Sequence, residues 1–281
     1  MENSEINTHF NIMRWIIITI FLIITLISAL CQTPFITEIS PAITVIGLFA
    51  AVWLHGLARY GWKNMVVLFL ITWVISNLFE ALSIQTGFPF GFYYYDKLLG
   101  PRLFNVPIII ILAYFATGYA SWILSTILLG QYQKPLQGKH IFLIPFITTF
   151  IMVMWDLCMD PLCSTVASLW VWSNGGPYFG VPLQNYFGWF LVVFLIYQTF
   201  ALFIARKESH TPARNALFTS RWFWMEIVVL YAIQGLTQVV QFIGAQSHYD
   251  IYANMALVSI FTMIFVAILA CIRIEDEKEL V

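Results

Sequence analysis

The chain has 281 residues, 60% of them hydrophobic and only 10% charged, and its mean hydropathy is +0.83. Soluble domains carry about 25% charged residues, so this composition excludes a soluble globule and describes an integral membrane protein. A net charge of -1 argues against nucleic acid as a partner, and Cys31, Cys158, Cys163 and Cys271 show neither a CxxC pair nor a zinc spacing.

In chain order, hydropathy predicts an all-α protein with eight spans, each near the ~20 residues a bilayer requires. They cover roughly 15–31, 41–59, 64–84, 106–129, 139–158, 186–205, 223–243 and 250–272, read as one transmembrane domain over 1–281. The first run has a poor cleavage site at Ser28-Ala29-Leu30-Cys31, so it is counted as a span rather than a signal peptide. Basic residues separate by side. Arg14, Arg59, Lys63, Lys134, Lys139, Arg206, Lys207, Arg214, Arg221, Arg273 and Lys278 fall on one face, against Lys97 and Arg102 on the other. The positive-inside rule then places both termini in the cytoplasm of a multi-pass protein of the cell membrane. The tail Glu275-Asp276-Glu277-Lys278-Glu279 reads as a solvated end.

Three carboxylates interrupt the apolar runs: Glu80 near the outer end of the third span, and Asp156 and Asp160 at the outer end of the fifth. A charge in hydrocarbon is costly, so each needs a partner, a wet cavity or a proton. Asp156 and Asp160 are four apart on one helix face, with Cβ atoms ~5–6 Å from one another. Two ionised groups that close in apolar surroundings do not coexist readily, so one is expected to hold a proton. Trp73, Asn77 and Glu80 share a face, which puts Asn77 within reach of Glu80 or of a water beside it. Gln234, Gln238 and Gln241 form a polar stripe on the seventh span, readable also as interhelical glue.

Other intramembrane polar residues suggest less. His55 is expected to be packed near the cytoplasmic end, Glu226 to pair locally with Arg221 or to start a helix, and His248 to lie in a loop. No metal constellation is visible in the sequence.

Each carboxylate-bearing span leads into a long outer loop rich in aromatics, Gly and Pro. Loop 85–105 contains Phe90 and Tyr93-Tyr94-Tyr95; loop 159–185 contains Trp170, Trp172 and Tyr178. In each, a Gly-Pro precedes a Val-Pro: Gly100-Pro101 to Val106-Pro107, and Gly176-Pro177 to Val181-Pro182. This reads as a weak repeat of two helical hairpins packed side by side, an arrangement that commonly places a site between the halves. The plainer reading is a pair of interfacial aromatic belts with turn-forming Gly and Pro.

The run Glu80 … Thr86-Gly87-Phe88-Pro89-Phe90-Gly91 … Tyr95 … Leu99-Gly100-Pro101-Arg102 … Val106-Pro107 resembles the membrane carotenoid biosynthesis protein family. So do Trp155-Asp156 … Asp160-Pro161, Gly176-Pro177-Tyr178-Phe179-Gly180-Val181-Pro182, Asn185 and Gly188-Trp189-Phe190. That family includes gamma-carotene 1'-hydratases and bisanhydrobacterioruberin hydratase, and the resemblance covers roughly 75–205. It implies addition of water across a terminal isopropylidene double bond of a carotenoid, giving a tertiary alcohol without a cofactor. A carboxylic acid protonates the alkene, and aromatic faces stabilise the resulting cation by ~0.5–2 kcal/mol each. The reading gives Asp156 or Asp160 the acid role and Glu80 the orientation of water, or the same roles reversed. Substrate-binding candidates are Asn77, Phe90, Tyr93, Tyr94, Tyr95, Trp155, Trp170, Trp172, Tyr178, Asn185, Gln238 and Gln241. The expected partners are a carotenoid, water and the bilayer.

Two alternatives stay open. A transporter or binding scaffold for an apolar isoprenoid could use the same aromatic cap. An intramembrane prenyltransferase could use Asp156-x-x-x-Asp160 for a magnesium diphosphate, although the outer face offers only Lys97 and Arg102 and a second aspartate-rich motif is missing.

Overall fold

The computed structural model describes residues 2–31, 34–208 and 220–277; Arg214, Lys278 and Glu279 of the charge pattern lie outside the described residues. In hydrocarbon every backbone N–H and C=O must be satisfied within its own segment, so apolar runs of this length become helices. Seven helices long and apolar enough to cross a membrane are present among the described residues. They are α1 (Glu2–Leu30), α2 (Pro34–Thr86), α3 (Ile108–Leu128), α4 (His140–Asp160), α5 (Leu183–Glu208), α6 (Arg221–Gly244) and α7 (Tyr249–Glu275). The eight expected spans are accommodated because α2 is two rods in one. Its 53 residues would measure about 80 Å at 1.5 Å per residue, far beyond a bilayer core of about 30 Å. The chain breaks at Gly61, where φ is 76° and ψ is 160°, a conformation that strains residues with a Cβ. Arg59 and Lys63 flank the break, so the charge clusters where the chain turns.

Two prolines, Pro145 inside α4 and Pro161 just past its end, shape the route to the site. A proline has no N–H and so orphans the carbonyl four residues earlier. Pro145 leaves the Ile141 carbonyl, which accepts from Gln198 Nε2 of α5 at 3.1 Å. Pro161, at the start of a π-helical turn (Pro161–Val166), leaves the Leu157 carbonyl, which accepts from the Tyr178 hydroxyl at 3.2 Å. Side chains from neighbouring elements thus satisfy what the prolines release, and α4 is fastened to α5 and to the loop above it.

The two long loops do not lie apart as separate belts. Strand β1 (Tyr93–Tyr95) of the first pairs antiparallel with β4 (Trp170–Trp172) of the second, in the register Tyr93 opposite Trp172 and Tyr95 opposite Trp170. The pairing continues at both ends, from Asp96 N to the Leu169 carbonyl and from Ser173 N to the Phe92 carbonyl, each 2.9 Å. Between them β2 (Arg102–Leu103) and β3 (Val106–Pro107) form a small hairpin, turned by Phe104 and Asn105 at positive φ. A bridge between Tyr178 and Val181 precedes the second Val-Pro in the same way. The repeat visible in the sequence therefore has a matching local geometry in both loops.

The first loop is also seated on α5. Gln184 Nε2 donates to the Gly87 carbonyl at 2.8 Å, and Gly188 lets Phe90 approach so closely that an added Cβ would stand 2.6 Å from its ring. At the far end of the bundle Arg14 of α1 holds Glu226 of α6 in a buried ion pair at 2.9 Å. This corrects the expected local partner, Arg221. His55 is buried, its Nδ1 against the Tyr119 hydroxyl at 2.8 Å and its Nε2 against the Phe223 carbonyl at 3.1 Å.

Candidate active site

Glu80, Asp156 and Asp160 are 3%, 1% and 1% exposed and line one cavity of about 570 Å³, within the usual range for ligand pockets. Glu80 projects from the last turns of α2. Its Oε2 accepts from the Tyr93 and Tyr95 hydroxyls, the latter at 2.8 Å, and its Oε1 accepts from Tyr114 of α3 at 2.8 Å. Burial first, and then the Glu80 carboxyl, hold the Tyr93 and Tyr95 phenols well above their ordinary pKa. Both therefore keep their protons at neutral pH and act as donors.

Asp156 and Asp160 stand one turn apart at the end of α4. Asn185, near the start of α5, spans the pair: its Nδ2 donates to Asp156 Oδ2 at 3.0 Å and to Asp160 Oδ2 at 2.7 Å. The indole N–H groups of Trp170 and Trp172 donate to Asp160 Oδ1 at 2.8 and 3.4 Å. One carboxyl oxygen of the six is left over. Asp156 Oδ1 is buried and has no hydrogen-bond partner within the protein.

Alternation along a strand explains how one ribbon serves both acids. Side chains of β1 and β4 point to opposite faces in turn, so Tyr93 and Tyr95 share a face with Trp170 and Trp172. That face turns toward the cavity and supplies four of the donors just named. Among the described residues, every hydrogen-bond donor to the three carboxyls is neutral: three phenols, two indoles and one amide. Glu226, by contrast, meets a guanidinium. A countercharge favours the anion of a buried acid, whereas neutral donors supply no such charge.

The aromatic wall continues below the ribbon. Trp189 of α5 stacks on Tyr114, with ring centroids 4.3 Å apart and planes 6° apart, and meets Trp155 at 6.1 Å and Phe90 at 6.3 Å. Of the residues singled out in the sequence, Phe90, Tyr93, Tyr95, Trp155, Trp170, Trp172, Asn185, Gln238 and Gln241 line the cavity with the three acids. Three do not. Tyr94 points off the opposite face of the ribbon and is 59% exposed. Asn77 donates to the Leu103 carbonyl at 3.2 Å rather than serving Glu80. Tyr178 satisfies Leu157 and packs edge-on against Tyr186. Their surroundings are structural. Tyr114 and Trp189 were missed. Trp189 falls in a quoted motif, Gly188-Trp189-Phe190, but Tyr114 sits among ordinary apolar neighbours and gives no local signal.

Apolar helices enclosing an acid cavity that is roofed by a two-stranded ribbon define a multi-pass membrane protein with a buried polar site. The chain belongs to the carotenoid biosynthesis protein family, whose profile matches residues 40–265. The match reaches beyond the 75–205 that the motifs alone covered, into the flanking spans. Bisanhydrobacterioruberin hydratase of Haloarcula japonica is 30% identical over 113 residues, which is 40% of this chain and 36% of that protein. The similarity thus covers only about a third of that relative's length. No solved structure matches the chain.

Proposed function

We propose that this protein hydrates a terminal isopropylidene double bond of an acyclic or monocyclic carotenoid, in the membrane of the cell and without a cofactor. The observation that carries the reading is the convergence of three carboxyls, all held by neutral donors, on one aromatic-walled cavity. Asp156 is the proton donor, because its Oδ1 is the one carboxyl oxygen of the site without a partner. It protonates the less substituted alkene carbon and leaves a tertiary cation. The faces of Trp155, Trp189 and Tyr114 stabilise that cation by about 0.5–2 kcal/mol each. Water adds to the cationic carbon, and its surplus proton returns to the Asp156–Asp160 pair, so the enzyme ends as it began. Glu80, fixed by three phenols, orients the water and offsets the positive charge. A linear carotenoid is about as long as the ~30 Å hydrocarbon core, so its end group reaches the depth of these acids.

The test is purified protein in detergent with an acyclic carotene and heavy-oxygen water. Label should enter a tertiary alcohol, and Asp156→Asn, Asp160→Asn and Glu80→Gln should abolish it while the protein still inserts. Carotenoid binding without turnover, or near-normal alcohol from all three variants, would overturn the mechanism.

A further inference from the structure

We infer that the side of this cavity facing α1, α3 and α6 holds a file of water molecules that feeds the acids. The inference rests on the hydratase reading for its purpose, since hydration consumes water at a site where all three carboxyls are buried. It rests on independent geometry for its location.

Threonine inside a helix ordinarily donates to the carbonyl four residues earlier. Thr19, Thr148, Thr149, Thr199 and Thr262 all do so, and so does Thr237 on the wall of this cavity. Thr72 of α2, away from the cavity, does not, and neither on the cavity wall do Thr25 of α1 and Thr117 of α3. The hydroxyls of these last two, 4% and 1% exposed as residues, have no hydrogen-bond partner within the protein, and both line the cavity. Gln238 of α6 lines it too, and its Oε1 is likewise buried and unpartnered.

Three helices therefore carry buried, unsatisfied polar atoms on residues that line one space. Leaving such an atom unpaired costs about 1–3 kcal/mol, so an empty or purely hydrocarbon filling is disfavoured at all three. Water satisfies them, because a buried water takes 2–4 polar partners and cavity walls of this kind hold it. The direction of the file is set by Thr117, one helical turn from Tyr114, whose hydroxyl donates to Glu80. Gln241, one turn beyond Gln238, carries the polar wall toward the end of α6.

Single cysteines at positions 25, 117 and 238, in a chain lacking the four native ones, test the path directly. A thiol reacts as the thiolate, which needs water. Each should react with methanethiosulfonate ethylammonium at least about tenfold faster than a cysteine replacing Leu236, which lies on the outward face of α6. Three cysteines as inert as that control would overturn the inference. Thr117→Val and Gln238→Leu should slow heavy-oxygen incorporation about tenfold with KM for the carotene unchanged. If they raise KM alone, the wall binds a hydroxyl of the polyene and the water file is wrong. The cysteine reactivities decide the question even if the wild-type chain yields no alcohol, so failure of the hydratase reading and failure of the water path are told apart.

Discussion

Asn185→Leu isolates the bridge between the two aspartates. The substitution keeps the size and branching of the side chain and removes both N–H donors, which reach Asp156 at 3.0 Å and Asp160 at 2.7 Å. If one member of the pair carries a proton, one lost bond is to a charged oxygen and the other to a neutral one. Those are worth about 1.5–3 and about 1 kcal/mol, together on the order of 3 kcal/mol. The bonds fix the rotamers of both acids, so most of that amount should appear in the barrier. At 1.36 kcal/mol per factor of ten, kcat/KM should fall about 100-fold. The assay is the rate of heavy-oxygen incorporation into the alcohol by detergent-purified protein, over a range of carotene concentrations. Asn185→Asp, which keeps the shape but cannot donate two N–H bonds, should fall comparably. Phe187→Ala, two residues along the same helix with its ring 76% exposed, should leave the rate unchanged. A folded Asn185→Leu protein within about threefold of wild type would refute the assignment of the pair as a positioned acid.

Other outcomes follow from the same contacts. Tyr114→Phe removes one donor from Glu80 while keeping the stack on Trp189, and should lower kcat/KM about tenfold with little change in detergent melting temperature. Gly188→Ala drives a methyl against the Phe90 ring and the Pro89 backbone, and should destabilise the seated loop by about 1–3 kcal/mol, read as a lower melting temperature. Arg14→Met strands Glu226 in the bundle and should cost about 3–5 kcal/mol. Adding Glu226→Leu should restore most of that loss, and a double-mutant cycle in chemical unfolding measures it.

The rods were legible because hydropathy and charge asymmetry are properties of whole segments, and the charges Arg59 and Lys63 separated two spans that the structure joins through the break at Gly61. The three acids were legible because a carboxylate in an apolar run has no cheap explanation. What failed was partnership. Tyr93, Tyr94 and Tyr95 look alike in a loop, and only the unforeseen strand pairing separates the outer two from Tyr94. Asn77 shares a face with Glu80 as its spacing required, but the Leu103 carbonyl, 26 residues away, claims its amide. Glu226 had a basic neighbour in sequence, yet its partner is Arg14, 212 residues off. Tyr178, an aromatic in a site loop, invites a substrate role by its sequence position, yet its hydroxyl serves the Leu157 carbonyl. The proline at 161 was the clue that a carbonyl nearby would need a donor.

The ribbon has a consequence for how this protein can vary. Surface connections ordinarily absorb insertions and deletions with little harm. Here a single residue added to either strand would exchange inward and outward rows, replacing Tyr93 and Tyr95 by Tyr94, or Trp170 and Trp172 by Val171, and leaving Glu80 with Tyr114 alone or Asp160 with Asn185 alone. Chain length is therefore as constrained across 93–95 and 170–172 as the identity of the acids themselves, and tolerance for indels should be sought at connections such as 131–139.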